Sequence, residues 1–358
     1  MARRRLLAQQ LESPRFKSAG EVVAFMGAMQ AQDFAMARWA VGIRLPGATI
    51  EEVEGALQRG EIIRTHLLRP TWHFVSAADV RWMLALTAPH IKSSLRSRHT
   101  SLELDDAFIR KTNALLEKEA RREGVLTRDH IARLFALRRI AMDDNRLAHM
   151  LLYAELDGVL CSGPPVGSKH TYALLEERVP ESVGLKRDEA LAELARRYFV
   201  SHGPATLQDF TWWSGLPAKD ARRAVDMAKP GLVSEEVDSR AYWADGSRSR
   251  AAKAGSGLHL LPAYDEYILA YKDRAASLHS QHHRAAISTN GVFYPTVLLD
   301  GKVIGLWRRT IAKDQVVVSH KLFRPLDQPA RRMMEKAARR VGVFLGKEAK
   351  LEEADSDP

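Results

Sequence analysis

Two side-chain amides stand two residues apart near the start of the chain, in Met29-Gln30-Ala31-Gln32-Asp33. A glutamine amide donates and accepts hydrogen bonds but does not ionise. Such a pair can hold a water molecule or set carbonyl oxygens against developing positive charge, and cannot serve as a general base. For that work both amides must reach one point, and in an unbroken helix positions i and i+2 diverge. Val22, Phe25, Met26 and Met29 recur at helical spacing over residues 21–29. A second run, residues 34–42, puts Met36, Trp39 and Ala40 on one face, with Asp33 as its N-cap. A turn between these two helices would bring Gln30 and Gln32 together at a helix start. The same pattern also suits a plain hydrophilic connection.

Three other groups of residues carry chemical potential. Residues 61–75 change period and read as a hairpin bent at 68–70, with Arg64, Arg69 and His73 beside Trp72. Strand alternation puts Trp72 and His73 on opposite faces, which predicts a core tryptophan and a surface histidine. Tyr264-Asp265-Glu266-Tyr267 is an acidic, aromatic cluster. Tyrosines that pack and carboxylates that pair with arginines would make it a structural corner. Trp307-Arg308-Arg309 ends a strand with two solvent arginines able to hold phosphates. Gly255-Ser256-Gly257 lacks the length and the lysine of a phosphate loop, and the adjacent His282 and His283 do not have zinc-ligand spacing. No metal and no cofactor is expected.

The elements around these groups repeat. Thr49 and Glu52 form a capping box for a helix that Gly60 stops, and the hairpin follows. The order helix, helix, helix, hairpin then recurs over residues 101–183 and 184–246, as it does over 1–100, and this is the order of a winged helix. Residues 247–345 read as a small-residue linker, short strands at 258–262, 285–288, 296–299, 302–308 and 315–322, and a closing helix. Asp300-Gly301 is a tight hairpin turn, and 346–358 is a frayed polar tail. The fold class is mainly α with β wings (α+β), three tandem winged helices and a small C-terminal β-barrel.

The chain has 358 residues, of which 46% are apolar and 27% charged, as in ordinary globular proteins of two or three domains. A formal net charge of +10 favours a polyanionic partner, most simply nucleic acid. One cysteine, Cys161, excludes an internal disulfide framework. With no apolar run of membrane-spanning length and no signal core, the expected place is the cytoplasm and no membrane partner is expected.

Residues 21–39 with Gln30-Ala31-Gln32, then Arg69-Pro70-Thr71-Trp72-His73, then Leu261-Pro262-Ala263-Tyr264-Asp265-Glu266-Tyr267 with Gly301 and Trp307-Arg308-Arg309 occur in order along almost the whole chain. Together they resemble the bacterial winged-helix DNA glycosylases that unhook interstrand crosslinks and remove alkylated purines. The resemblance implies three winged helices and a barrel in a C-shaped clamp around duplex DNA. It further implies a monomeric, monofunctional enzyme acting on double-stranded DNA that contains alkylated or crosslinked purines. Gln30 and Gln32 match the catalytic motif, with glutamine at the second position, as in the self-resistance branch, where the broader repair branch has aspartate. Arg64, Arg69, His73, Arg308 and Arg309 form the expected DNA-contact set. Trp72, Tyr264, Asp265, Glu266 and Tyr267 are structural or DNA-facing. A non-enzymatic winged-helix DNA binder or transcription regulator is the alternative, and only the paired glutamines separate the two.

Overall fold

The computed structural model describes residues 1–166, 169–179, 184–246 and 257–354. Helices alternate with short hairpins, and the chain ends in a larger curled sheet, a mixed α+β fold. Helix α1 (Ala2–Ala8) is followed by α2 (Ala19–Met26), which Ser18 caps. The chain leaves α2 at Gly27, whose φ of 78° suits glycine alone. Residues 28–30, expected to continue or follow a helix as a turn, instead form strand β1 (Ala28–Gln30). Helix α3 (Phe34–Gly42) follows, with the Asp33 side chain accepting from Met36 N as the N-cap. Helix α4 (Ile50–Gln58) carries the expected Thr49–Glu52 capping box.

Strands β2 (Ile62–Leu67) and β3 (Thr71–Ser76) form the hairpin, and β1 adds to it antiparallel in the order β1-β3-β2, with Gln30 opposite His73. Both faces of this sheet are covered. Ala28, Ile63 and Val75 belong to one hydrophobic core that extends through the middle of the chain. Met29, Ile62 and Phe74 belong to a second, shared with the C-terminal sheet. The sheet therefore lies between two cores, with apolar side chains on both of its sides.

The arrangement recurs. Leu126–Thr127 pairs with Thr171–Leu174, which pairs with Leu160–Ser162 in the same order. At the hairpin of Val233–Val237 and Arg240–Ala244, a single bridge from Ala205 to Trp243 takes the place of the first strand. Each short first strand runs into a helix, Arg128–Leu137 and Leu207–Ser214, whose N-cap threonine accepts a backbone hydrogen bond.

The last sheet has five strands, in the order Glu348–Glu353, Gln315–Leu322, Lys302–Ile311, Thr296–Leu299, Leu258–Leu261. Among the described residues its two edge strands do not pair with each other, so the expected barrel is an open, curled half-barrel. The helix Gln328–Leu345 contacts both edge strands and inserts Met334, Val341 and Phe344 into the core, filling the side where closure would occur. Residues 348–353, read as frayed tail, pair parallel with Gln315–Leu322. Residues 283–286 form a helical turn where a strand was expected over 285–288. Asp300 and Gly301 have φ of 52° and 80°, as the expected tight turn requires. The linker reading at 247–256 lies outside the described residues. Among the described residues no helix is long and apolar enough to cross a membrane.

Candidate active site

Gln30 closes β1, Ala31 N donates to Trp72 O at 2.7 Å, and the chain bends at Gln32 and Asp33 before α3 begins. The bend that periodicity placed between two helices thus falls between strand β1 and helix α3, with Gln30 at the strand end and Gln32 within the bend. Gln30 is 7% exposed, whereas Gln32 is open to solvent.

Long-range contacts fix the backbone here. Gln30 N donates to Glu266 Oε1 at 2.8 Å, and Ala31 O accepts from Arg64 Nε at 3.0 Å. The Glu266 carboxylate, 1% exposed, also accepts from Trp213 Nε1 at 3.0 Å and lies 3.6 Å from His202 Nε2. Arg69 donates through Nη2 to Gln30 Oε1 at 2.8 Å and through Nη1 to Trp212 O at 3.2 Å. A guanidinium has only donors, so the atom facing it is the carbonyl end of the Gln30 amide, and the NH2 end points elsewhere. Gln32 is held loosely, its Oε1 3.5 Å from Trp72 N. The result is one clamped amide and, two residues on, one loosely held amide.

Several expected contact residues lie inside the protein. His73 is 0% exposed, with Nδ1 2.9 Å from Thr71 O, so Nδ1 carries the proton. Burial, with Arg69 adding to it, holds its pKa well below the usual range, and the ring is neutral. The expectation of a surface histidine and a core Trp72 is reversed: Trp72 is half-buried. The sheet has no wet face on which His73 could emerge, so a direct contact between His73 and DNA does not fit this structure. Arg64 is buried as well, stacked 4.3 Å from the Trp72 ring, and burial lowers its pKa to about 10. It braces the motif from behind and is not free to reach a phosphate.

Arg308 is exposed, while Arg309 is half-buried and donates to Ala35 O at 2.9 Å, tying the half-barrel to the first turn of α3. Asp265 makes a doubly hydrogen-bonded ion pair with Arg44 at 2.8 Å, both side chains fully buried, and Arg44 further donates to Gln9 O and Ala40 O. Tyr267 is buried and donates to Ala2 O at 3.0 Å. Tyr264, at φ 58°, packs 6.1 Å from Phe293. The acidic cluster is a structural corner at Asp265 and Tyr267, but its Glu266 is part of the site.

Sequence reading missed Trp212, Trp213, His202 and Glu155. Glu155 is fully buried. Its Oε2 accepts from His66 N at 2.9 Å and lies 2.5 Å from His66 Nδ1, while its Oε1 accepts from Trp72 Nε1 at 3.4 Å. Signals existed: a lone glutamate within the apolar run 150–156, and two adjacent tryptophans that a helix cannot bury on one face.

Residues 23–344 match the family described as DNA glycosylase AlkZ-like. The chain belongs to this family. Its members are DNA glycosylases, hydrolases of the bond between base and sugar. The chain is 28% identical over 331 residues to an interstrand DNA cross-link repair glycosylase of Streptomyces sahachiroi, which spans 88% of this chain and 88% of that protein. The solved structure of the Streptomyces sahachiroi DNA glycosylase AlkZ superposes with a TM-score of 0.81 at 24% identity, covering 99% of this chain and 98% of that one. That likeness gives the glycosylase its fold.

Proposed function

We propose that this enzyme hydrolyses the N-glycosidic bond of cationic N7- or N3-alkylated purines in duplex DNA, including the interstrand crosslinks named for its relative, with Gln30 and Gln32 as the catalytic pair. The observation that carries this is the pair of amides two residues apart where β1 gives way to α3, with Gln30 anchored by Glu266 and Arg69. A purine alkylated at N7 already bears positive charge. Its C1′–N bond breaks with the electron pair going to the base, which leaves neutral and needs no acid. The cation left on the sugar is captured by water, whose surplus proton passes to solvent.

Arg69 occupies the Gln30 carbonyl, so Gln30 NH2 is the end free to hold the water. The Gln32 carbonyl, loosely bound, faces the cationic sugar and accepts from that water. Neither amide can deprotonate anything, which restricts the enzyme to lesions that leave as neutral bases. We further propose that residues 1–100, 101–183 and 184–246 are three winged-helix units, and that they form with residues 247–345 a C-shaped clamp on DNA. The enzyme then acts as a cytoplasmic monomer with Arg69, Arg308 and Arg309 toward the duplex. Incubation with duplex containing 7-methylguanine, scored for abasic sites, tests the reading. Release is the expected result, and duplex binding without release of any alkylpurine would make the chain a winged-helix DNA binder instead.

A further inference from the structure

The guanidinium that clamps Gln30 also reaches Trp212, on the helix Leu207–Ser214. Trp212 is 37% exposed, and its Nε1 donates to Leu269 O at 2.9 Å, which fixes the indole at the surface. Two further cations meet that ring: Lys272 Nζ lies 4.8 Å from the ring centroid and the Arg274 guanidinium 5.3 Å. Arg274 is also 5.1 Å from the Phe293 ring, and its Nε donates to Ile268 O at 3.0 Å. Backbone contacts hold the segment, with Lys272 N and Asp273 N both donating to Asp209 Oδ1, at 2.9 and 3.2 Å. Nearby carboxylates are engaged elsewhere: Asp209 faces Arg5 at 3.7 Å and Asp273 pairs with Arg240 at 2.7 Å. Among the described residues Arg69, Lys272 and Arg274 form no ion pair.

We infer that Lys272 and Arg274, braced on the Trp212 indole beside Arg69, form a phosphate-binding shelf for the DNA strand that passes Gln30. The inference rests on the proposed glycosylase reading and extends it to residues outside the motif. Cations within about 6 Å of an indole are attracted to its face, so Trp212 steadies the exposed Lys272 ammonium and the half-buried Arg274 guanidinium, whose Nη2 is buried without a hydrogen-bond partner, and neutralises neither. Unpaired positive charge continuous with the catalytic segment, through the Arg69 bridge, complements the anionic backbone that a duplex substrate brings. Phosphate contacts of this kind position a strand without reading its sequence.

The test is fluorescence anisotropy of labelled duplex containing 7-methylguanine over a salt series, with single-turnover base release measured beside it. Lys272→Ala and Arg274→Ala are each expected to reduce the slope of log affinity against log salt by about 0.9, the signature of one lost phosphate contact. Trp212→Ala removes the brace but no charge, so the slope is expected to hold while affinity falls about two- to fivefold. Trp212→Phe, which keeps a ring, is expected to restore most of the loss. Lys272 is exposed, and its replacement leaves the Asp209 contacts intact, so this variant tests the idea even if Arg274→Ala does not fold. Parent slope and affinity in Lys272→Ala overturn the shelf; parent affinity in folded Trp212→Ala overturns the brace. A parent that releases base with a slope indifferent to Lys272 removes the shelf alone. A parent whose duplex binding depends on Lys272 but which releases no base removes the glycosylase reading and leaves the shelf.

Discussion

The two glutamines differ in how firmly the protein holds them, and this difference makes their roles separable. Gln30 is anchored through its backbone by Glu266 and through its side chain by Arg69, whereas Gln32 meets one distant backbone N–H. Replacing either with alanine is expected to lower single-turnover base release by at least about a hundredfold, the scale of losing one charge-stabilising group. Duplex affinity should change little, because the amides act mainly on charge that develops in the transition state. Parent release rates in both variants would make them ordinary residues of the link between β1 and α3. Gln32→Asp is expected to remain active, since a carboxylate stabilises a cationic sugar more strongly. Glu266 acts through Gln30. Glu266→Gln keeps an acceptor for one of two N–H donors and turns an NH2 toward the other, so a reduced rate with unchanged affinity is expected. An unchanged rate would mean that the strand holds Gln30 without help.

At the level of elements, the β1-β3-β2 sheet accounts for both the success and the failure of sequence reading. Its hairpin, bend and neighbouring helices were legible, because alternation, Pro70, Gly60 and the Thr49 cap are local signals. What covers a sheet is not local. His73 looked like a surface residue because a hairpin beside a helix pair normally keeps one face wet, yet the C-terminal half-barrel shares a core with the first hundred residues. The same cause hid Glu266: its role depends on a hydrogen bond to a residue 236 positions away. The barrel reading failed because strand signals do not show whether a helix will occupy the closing edge. Burial of His73 and the half-burial of Trp72 set the order of their stability costs. His73→Ala should cost about 3 kcal/mol, through the cavity and the lost Thr71 bond. Half-buried Trp72 should cost less when truncated, a ranking that denaturation midpoints of the two variants check.

Across the whole molecule, burial of histidines ties stability to pH. His170 and His99 are pushed down to about 4, chiefly by burial, with Arg64 acting against His170 and His149 against His99. His73, His202 and His149 are also lowered, in each case mainly by burial. An unfolded chain binds protons at these sites below about pH 6.5, the ordinary histidine value, while the folded protein takes them up only at lower pH, at His170 and His99 near pH 4. Where the unfolded state binds more protons, stability rises with pH. The contribution of these neutral histidines is therefore complete above about pH 6.5 and is lost as pH falls toward 4. Glu155 adds in the same sense. Burial raises its pKa, but His66 and its N–H bonds outweigh burial and leave it lowered, so its contribution also disappears in acid. Thermal midpoints should thus fall steadily from neutral pH into this window, and His170→Gln should show a shallower fall than the parent. Base release should behave differently. The catalytic amides do not titrate, so the single-turnover rate is expected to stay flat from about pH 6.5 to 8.5. A bell-shaped rate profile in that range would mean that an ionising group, and not the glutamine pair, carries the chemical step.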